Sequence, residues 1–399
     1  MQNQTENRIL GGFFRRLCLS LAIMAGGTGL AQAAPQGTPF VVIDAASGAV
    51  VAEQEATRRW YPASLTKLMT AYVALTALRQ GKVGLDTPIV ISNRAARMPP
   101  SKMGFNPGSE VTLENALRML MVKSANDIAV TIAEGLGGTV EGFADQMNAA
   151  AARLGMRESH FVNPNGLHHD EHYSSARDMA IIGMALFRDF PQYADLYGIG
   201  ALRLGDQVIP THNGLLGRYP GADGMKTGFT CAAGFNVVAS ASRNGRRLIA
   251  VVLGYPNARA RNFKAASLLD AGFMSGNGPA LASLRALPGG PVNNRPRVCG
   301  ANREQVAEDD FASPFGGANM QGDQASGLAA VQAQVGRPAF EPVPVFAGRV
   351  PGWTGPALVA LDDGPRPAAS APPVTGKAKK AKARGGKKKQ VARAKAKQK

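Results

Sequence analysis

Three short motifs in this 399-residue chain hold residues whose types and spacing are suited to nucleophilic chemistry. Ser64-Leu65-Thr66-Lys67 is the Ser-x-x-Lys instance in the sequence, and it opens an apolar-periodic stretch just after Tyr61-Pro62-Ala63. A spacing of three is close to one helical turn, so the Ser64 hydroxyl and the Lys67 amine share a helix face. A serine is a weak nucleophile until a base takes its proton, and a lysine can act as that base once its pKa falls. Two causes are at hand: the positive end of a helix, and a second buried cation, for which Lys226 is the candidate. Ser124-Ala125-Asn126 lies between two helical stretches, and Lys226-Thr227-Gly228 runs into Phe229-Thr230 ahead of a strand. Each motif has an ordinary alternative. Ser and Asn are good helix caps, Ser242-Arg243-Asn244 and Ser275-Gly276-Asn277 repeat the Ser-x-Asn spacing, and a Gly after Lys-Thr suits any turn.

The surrounding elements must bring the three together. Phe40 to Asp44 and Ala49 to Ala52 read as two strands joined by a turn, and Phe235 to Ala241 with Arg247 to Gly254 repeat that pattern around Arg243-Asn244-Gly245. Between these hairpins the pattern is helical: Leu65, Leu68, Met69, Tyr72, Val73 and Thr76 share one face. Further helices are expected over Leu113–Met121, Asp127–Leu136, Val140–Leu154 and Ala176–Phe187, and a last one over Ala258–Phe273. The terminal strands must meet in one sheet, antiparallel because hairpins dominate, which makes residues 38–275 an α/β (α+β) body.

The order Ser-x-x-Lys, Ser-x-Asn, Lys-Thr-Gly, with separations of 60 and 102 residues, sharpens the reading. Here the sequence resembles the serine-type D-alanyl-D-alanine carboxypeptidases, the low-molecular-mass penicillin-binding proteins. The resemblance covers roughly residues 38–275. It extends to Pro62–Ala71 around the nucleophile, to Asn163-Pro164-Asn165-Gly166-Leu167, to Ser175-Ala176-Arg177-Asp178 and to Asp223–Thr230. It implies a penicillin-binding/β-lactamase-like fold, an antiparallel sheet flanked by helices with a helical subdomain. It also implies removal of the terminal D-alanine from peptidoglycan stem peptides through an acyl-serine. Ser64 would attack, Lys67 accept its proton and Ser124 carry protons toward the leaving amine, helped by the field of Lys226. Asn126 would hold the substrate backbone, Thr227 its terminal carboxylate, and the backbone N–H groups of Ser64 and Phe229 the oxyanion, with Gly228 in the same substrate strand. Arg261 stands where a basic residue for the carboxylate is expected, and Arg259 competes for that role. No cofactor is implied, and β-lactams would be inhibitors. One departure is Phe229, where some members carry His. Related enzymes of the same fold, a DD-endopeptidase or a β-lactamase, remain alternatives.

His168, His169 and His172, with Asp170 and Glu171, raise a metal reading, but they sit in an expected loop without the His-Glu-x-x-His spacing, and no metal is expected. Residues 1–33 read as a cleaved signal peptide: Arg15-Arg16, a short apolar run from Leu17 to Leu30, then Ala31-Gln32-Ala33. That run is short of the ~20 residues needed to span a bilayer. The expected destination is the periplasm. Cleavage would remove Cys18, leaving Cys231 and Cys299 either bonded or separate. Residues 276–376 are rich in Pro and Gly and read as mostly disordered linker with short docked pieces. The net charge of +17 looks like a nucleic-acid signature, but twelve Lys or Arg and no acid fall within residues 377–399, which leaves +5 for the remainder. This basic tail suits an anionic envelope surface rather than nucleic acid, and it motivates a competing reading as a non-catalytic polyanion binder. It has too few apolar residues for an amphipathic membrane helix, so any membrane association would be peripheral.

Overall fold

The computed structural model describes residues 37–301 and 340–361. The expected signal peptide and basic tail, and parts of the expected linker, lie outside the described residues. In chain order the elements are β1 (Phe40–Asp44), β2 (Val50–Gln54), α1 (Lys67–Arg79), β3 (Pro88–Val90), α2 (Asn93–Ala96), β4 (Glu110–Thr112), α3 (Leu113–Val122) and α4 (Asn126–Gly137). There follow α5 (Val140–Leu154), α6 (Ala176–Asp189), β5 (Ala201–Leu204), β6 (Gln207–Pro210), β7 (Ala222–Thr230), β8 (Gly234–Arg243), β9 (Arg246–Tyr255), α7 (Ala258–Met274), α8 (Arg295–Cys299) and β10 (Val343–Pro344).

A five-stranded antiparallel sheet, in the order β2-β1-β9-β8-β7, joins the two ends of the body, as the two hairpins require. Alternation along β9 shows why it is central. Leu248, Ala250 and Val252 pack with Ala265, Ala266, Leu268 and Leu269 of α7 on one face, whereas Ile249, Val251 and Leu253 join the main core with α6 on the other. Both faces are covered, so the strand reads as a nearly continuous apolar run. The helical subdomain is built from α1, α3, α4 and α5. Helix α1 departs from the expected one-faced pattern: every residue from Lys67 to Leu75 is buried. It is the central helix of the subdomain, and its polar Lys67 and Thr70 are buried because the functional site is built on them.

The Pro/Gly-rich stretch holds two docked pieces. Gly278 and Pro279 exchange backbone hydrogen bonds with Val50, Leu281 is buried, and Cys299 bonds Cys231 with Cα atoms 5.6 Å apart. Further on, β10 pairs in parallel with β5, and the Leu358 backbone bonds Pro88 and Val90 at 2.8 and 2.9 Å. The linker reading allowed such short docked pieces without placing them. Their apolar anchors are single residues without periodicity, and such residues find partners only on an existing surface.

Candidate active site

The nucleophile segment is held by its neighbours more than by helix capping. Ala63–Thr66 forms one 3-10 turn that runs into α1 without a side-chain cap, and Ala63 has a φ of +49°, a left-handed conformation that is costly for a residue with a Cβ. Three contacts stabilise it. Asn236 of β8 donates Nδ2 to the carbonyls of Tyr61 and Pro62, at 3.0 and 3.2 Å. Strand β7 crosses over the turn at Gly228, where a Cβ would lie 2.9 Å from the Pro62 carbonyl oxygen and 3.0 Å from the Ser64 nitrogen, so only glycine allows this approach. Gly166, at φ +81°, fits against the Ala63 carbonyl in the same way.

Lys67 is fully buried, with Nζ 2.9 Å from Ser64 Oγ, 2.8 Å from Asn126 Oδ1 and 2.7 Å from the Asn165 carbonyl oxygen. Asn126 Oδ1 and the Asn165 carbonyl can only accept. A neutral amine gives its two N–H groups to them and keeps its lone pair for the Ser64 hydroxyl hydrogen. The protonation state fits that arrangement: burial first, then the Lys226 ammonium, push Lys67 well below its ordinary value against the opposing pull of Asp127. Lys226 is buried too, donates to the Thr227 carbonyl at 3.0 Å, and is lowered to about 7 by burial and then by Arg261. Arg261 is 3% exposed rather than solvated. Its guanidinium donates to Asn262 Oδ1 at 3.1 and 2.8 Å, and burial lowers its pKa to about 10, so it keeps its charge behind Lys226. Arg259 is exposed.

These groups open on a cleft of about 400 Å³ lined by Ser64, Ser124, Asn126, Thr227, Gly228 and Phe229. Residues from three distant motifs thus share one cavity, with Lys67, Lys226 and Arg261 buried behind it. Neither member of the Ser-x-Asn motif caps a helix: the N-cap of α4 is Ala125, and Ser124 stands at φ +60°. Asn126 instead spans from Lys67 to the Pro99 carbonyl, which accepts from its Nδ2 at 2.9 Å. Phe229 is 45% exposed at the rim, with its ring 4.1 Å from that of Phe235. His172 belongs to the scaffold. Its Nδ1 accepts from the Val162 N–H at 3.1 Å, which leaves Nε2–H to donate to Thr66 Oγ1 at 2.8 Å. Burial lowers its pKa to about 3 and keeps it neutral.

Three participants lie outside the Ser-x-x-Lys, Ser-x-Asn and Lys-Thr-Gly motifs. The Asn165 carbonyl reaches Lys67 because the Asn163–Leu167 loop is laced by its own side chains; Asn163 Oδ1 accepts from the Gly166 N–H at 2.7 Å. Asn236 is a buried polar residue among the apolar neighbours Phe235, Val237 and Val238 of β8. His212 lines the cleft with an open edge, and desolvation, then Lys226, Lys123 and Arg261, lower its pKa to about 4. Because the ring is open to solvent, the cations are the firmer cause.

The profile of the D-alanyl-D-alanine carboxypeptidase family, peptidase S11, matches residues 29–257. The chain belongs to that family. The D-alanyl-D-alanine carboxypeptidase DacA of Haemophilus influenzae is 39% identical over 239 residues, 59% of this chain and 61% of that protein. DacA of Escherichia coli K12 is 39% identical over 241 residues, 59% of this chain and 60% of its own length. The chain therefore matches about three fifths of the length of these relatives. Among solved structures, penicillin binding protein 5 from Haemophilus influenzae superposes with a TM-score of 0.57 at 38% identity, covering 60% of this chain and 72% of that one. Penicillin-binding protein D2 from Listeria monocytogenes, solved in an ampicillin-bound form, gives 0.54 at 27% identity, covering 60% and 98%. The antiparallel sheet with its helical subdomain is the fold of this family.

Proposed function

We propose that the protein is a penicillin-sensitive serine D-alanyl-D-alanine carboxypeptidase that removes the terminal D-alanine from peptidoglycan stem peptides. The carrying observation is the 2.9 Å contact between Ser64 Oγ and a fully buried Lys67 amine whose other two partners only accept. Lys67 takes the Ser64 proton as Oγ attacks the carbonyl between the two D-alanines. Negative charge then develops on the carbonyl oxygen and is stabilised by the backbone N–H groups of Ser64 and Phe229, an assignment supported by the close approach of Gly228 to the Ser64 nitrogen. Fixed donors of this kind contribute about 3–4 kcal/mol each to the barrier. Ser124 returns a proton to the leaving amine, and Asn126 bonds the peptide backbone. The terminal carboxylate lies toward Thr227, in the field of Lys226 and Arg261. Water then hydrolyses the acyl-serine. The strand Lys226–Phe229, at the sheet edge, is free to pair with an extended substrate.

The chain acts outside the cytoplasm in this reading, exported by cleavage after Ala33, with residues 377–399 holding it to anionic envelope surfaces. Deleting that tail is expected to abolish salt-dependent association with anionic vesicles and leave hydrolysis unchanged. The central test is the intact mass after benzylpenicillin. A long-lived adduct on Ser64, absent in Ser64→Ala, together with free D-alanine from pentapeptide, supports the reading. Rapid drug turnover points to a β-lactamase, cleavage confined to cross-linked dimers to an endopeptidase, and neither adduct nor product to a binding protein.

A further inference from the structure

Strand β7 is the outermost of its sheet, yet it carries the Phe229 N–H to which oxyanion stabilisation is assigned above. The end of an edge strand has a neighbour on one side only and opens more readily than a central one, whereas a catalytic donor loses most of its value when displaced by a fraction of an ångström. In this chain the turn after β7 is gripped from outside. Cys231, two residues beyond Phe229, is bonded to Cys299, 68 residues away. Next to it the Ala232 carbonyl accepts from both the backbone N–H and Nδ2 of Asn294, at 2.9 and 3.3 Å, and Asn294 is 5% exposed. Arg297 donates to the Gly254 carbonyl at the end of β9, two strands in from β7, and Val298 is buried. From the opposite side Trp60 Nε1 donates to the Ala233 carbonyl at 2.8 Å. The gripped residues Ala232 and Ala233 form a separate small apolar cluster with Tyr61 and Ala63, the residue at φ +49° that immediately precedes Ser64.

We propose that Asn294–Cys299, locked by the Cys231–Cys299 disulfide, is a positioning element that sets the Ser64 and Phe229 backbone donors relative to each other. It acts through the Ala232–Ala233 turn and rests on the reading of this cleft as an acylating site. The segment touches the body at the β7–β8 turn and at Gly254, the end of β9 that lies beside that turn, and it places its covalent bond two residues beyond Phe229. A clasp serving stability alone has no need of that location.

The experiment compares the oxidised full chain with Cys231→Ser/Cys299→Ser, with Asn294→Ala, and with wild type reduced by a water-soluble phosphine. The phosphine becomes its oxide with oxygen from water, and each sulfur gains a proton; Cys299 is exposed to the reagent. The readouts are the second-order rate constant for acylation by a fluorescent penicillin, its pH profile, and Tm. The expected result is acylation about tenfold slower without the disulfide and about threefold slower in Asn294→Ala, as misplaced backbone donors would give. The adduct should remain on Ser64 and the limbs of the pH profile should not move, since Lys67 and Lys226 are untouched. Acylation within about twofold of wild type in the folded reduced protein and in Asn294→Ala, whatever happens to Tm, overturns the proposal. If the double serine variant does not fold, those two samples decide. Absence of any adduct in the oxidised wild type sinks the acylating reading itself, and this inference with it.

Discussion

Two buried polar clusters in this fold solve opposite problems. Around Arg177 the charges are balanced: Nη1 meets Asp178 at 2.7 Å and Glu158 at 3.3 Å, and Asp178 also accepts from the Glu158 N–H and the Ser159 hydroxyl. Burial first, then Glu158, raises Asp178 to about 7, so the cluster shares two acids against one guanidinium. Around Ser64 the charges are alike. Lys67, Lys226 and Arg261 are all buried, and their hydrogen-bond acceptors are neutral oxygens of Ser64, Asn126, Asn165, Thr227, Asn262 and Asn236. The balanced cluster ties α6 to the turn that follows α5. The unbalanced one lowers the pKa of both amines, which costs stability and creates a base beside a hydroxyl. Burial without a hydrogen-bonded counter-ion, more than burial itself, separates reactive machinery from scaffold here.

Lys67→Met tests that contrast most severely. It is expected to lower both D-alanine release and penicillin acylation by about 10³-fold, the scale of a lost general base. Tm should hold or rise, because an amine buried without a hydrogen-bonded counter-ion has been removed. A large fall in Tm would erase the distinction between the clusters. Arg177→Met should do the reverse. Leaving two acids buried without their cation is expected to destabilise by about 3–5 kcal/mol, read by denaturant titration. At low temperature the acylation rate constant of the folded fraction should stay within about twofold of wild type. Gly228→Ala comes next: its Cβ pushes β7 off the Ser64 turn, and acylation should slow by about 10²-fold with a small change in Tm.

The pH dependence sharpens the picture of the cationic cluster. Acylation needs Lys67 neutral and Lys226 charged. The rate should rise with pH as Lys67 deprotonates and fall again as pH passes about 7, where Lys226 loses its proton. Lys226→Arg should shift the falling limb upward. Stability follows the opposite sense. The unfolded chain holds the Lys226 proton more tightly than the folded one, so this group's penalty is full below about 7 and is relieved as pH rises toward 10.5. The Tm advantage of Lys226→Met should accordingly be greatest at neutral pH and below, and vanish in alkali. The smallest effect is expected from Phe229→His. If only the backbone N–H serves the oxyanion, kcat/KM for pentapeptide changes by about threefold or less. A much larger change would assign the exposed ring pair of Phe229 and Phe235 a direct role in substrate contact.

Much of this was legible from local pattern. The strand–turn–strand segments at both ends and the six main helices follow from periods of 2 and 3.6, and the spacing of Ser64 and Lys67 already places hydroxyl and amine on one turn. Local pattern failed where a residue's environment comes from distant chain. Helix α1 has one apolar face in sequence but is buried on every side from Lys67 to Leu75, where polar Lys67 and Thr70 bond the Asn165 and Pro164 carbonyls nearly a hundred residues on. Asn236 and His212 gain their places from the fold and leave no motif.

What the amino-acid order determined by itself is the reactive inventory and the fold family, since nucleophile, base and turn glycines must be specific residue types at specific intervals. Tertiary structure decided the energetics. Only packing could show that three cations are buried together with neutral oxygens as their hydrogen-bond acceptors, that Cys231 meets Cys299, and where pieces of a Pro/Gly-rich stretch dock on the body. Desolvation and long-range contact depend on what surrounds a group in space, and that surrounding is assembled from segments that have no proximity along the chain.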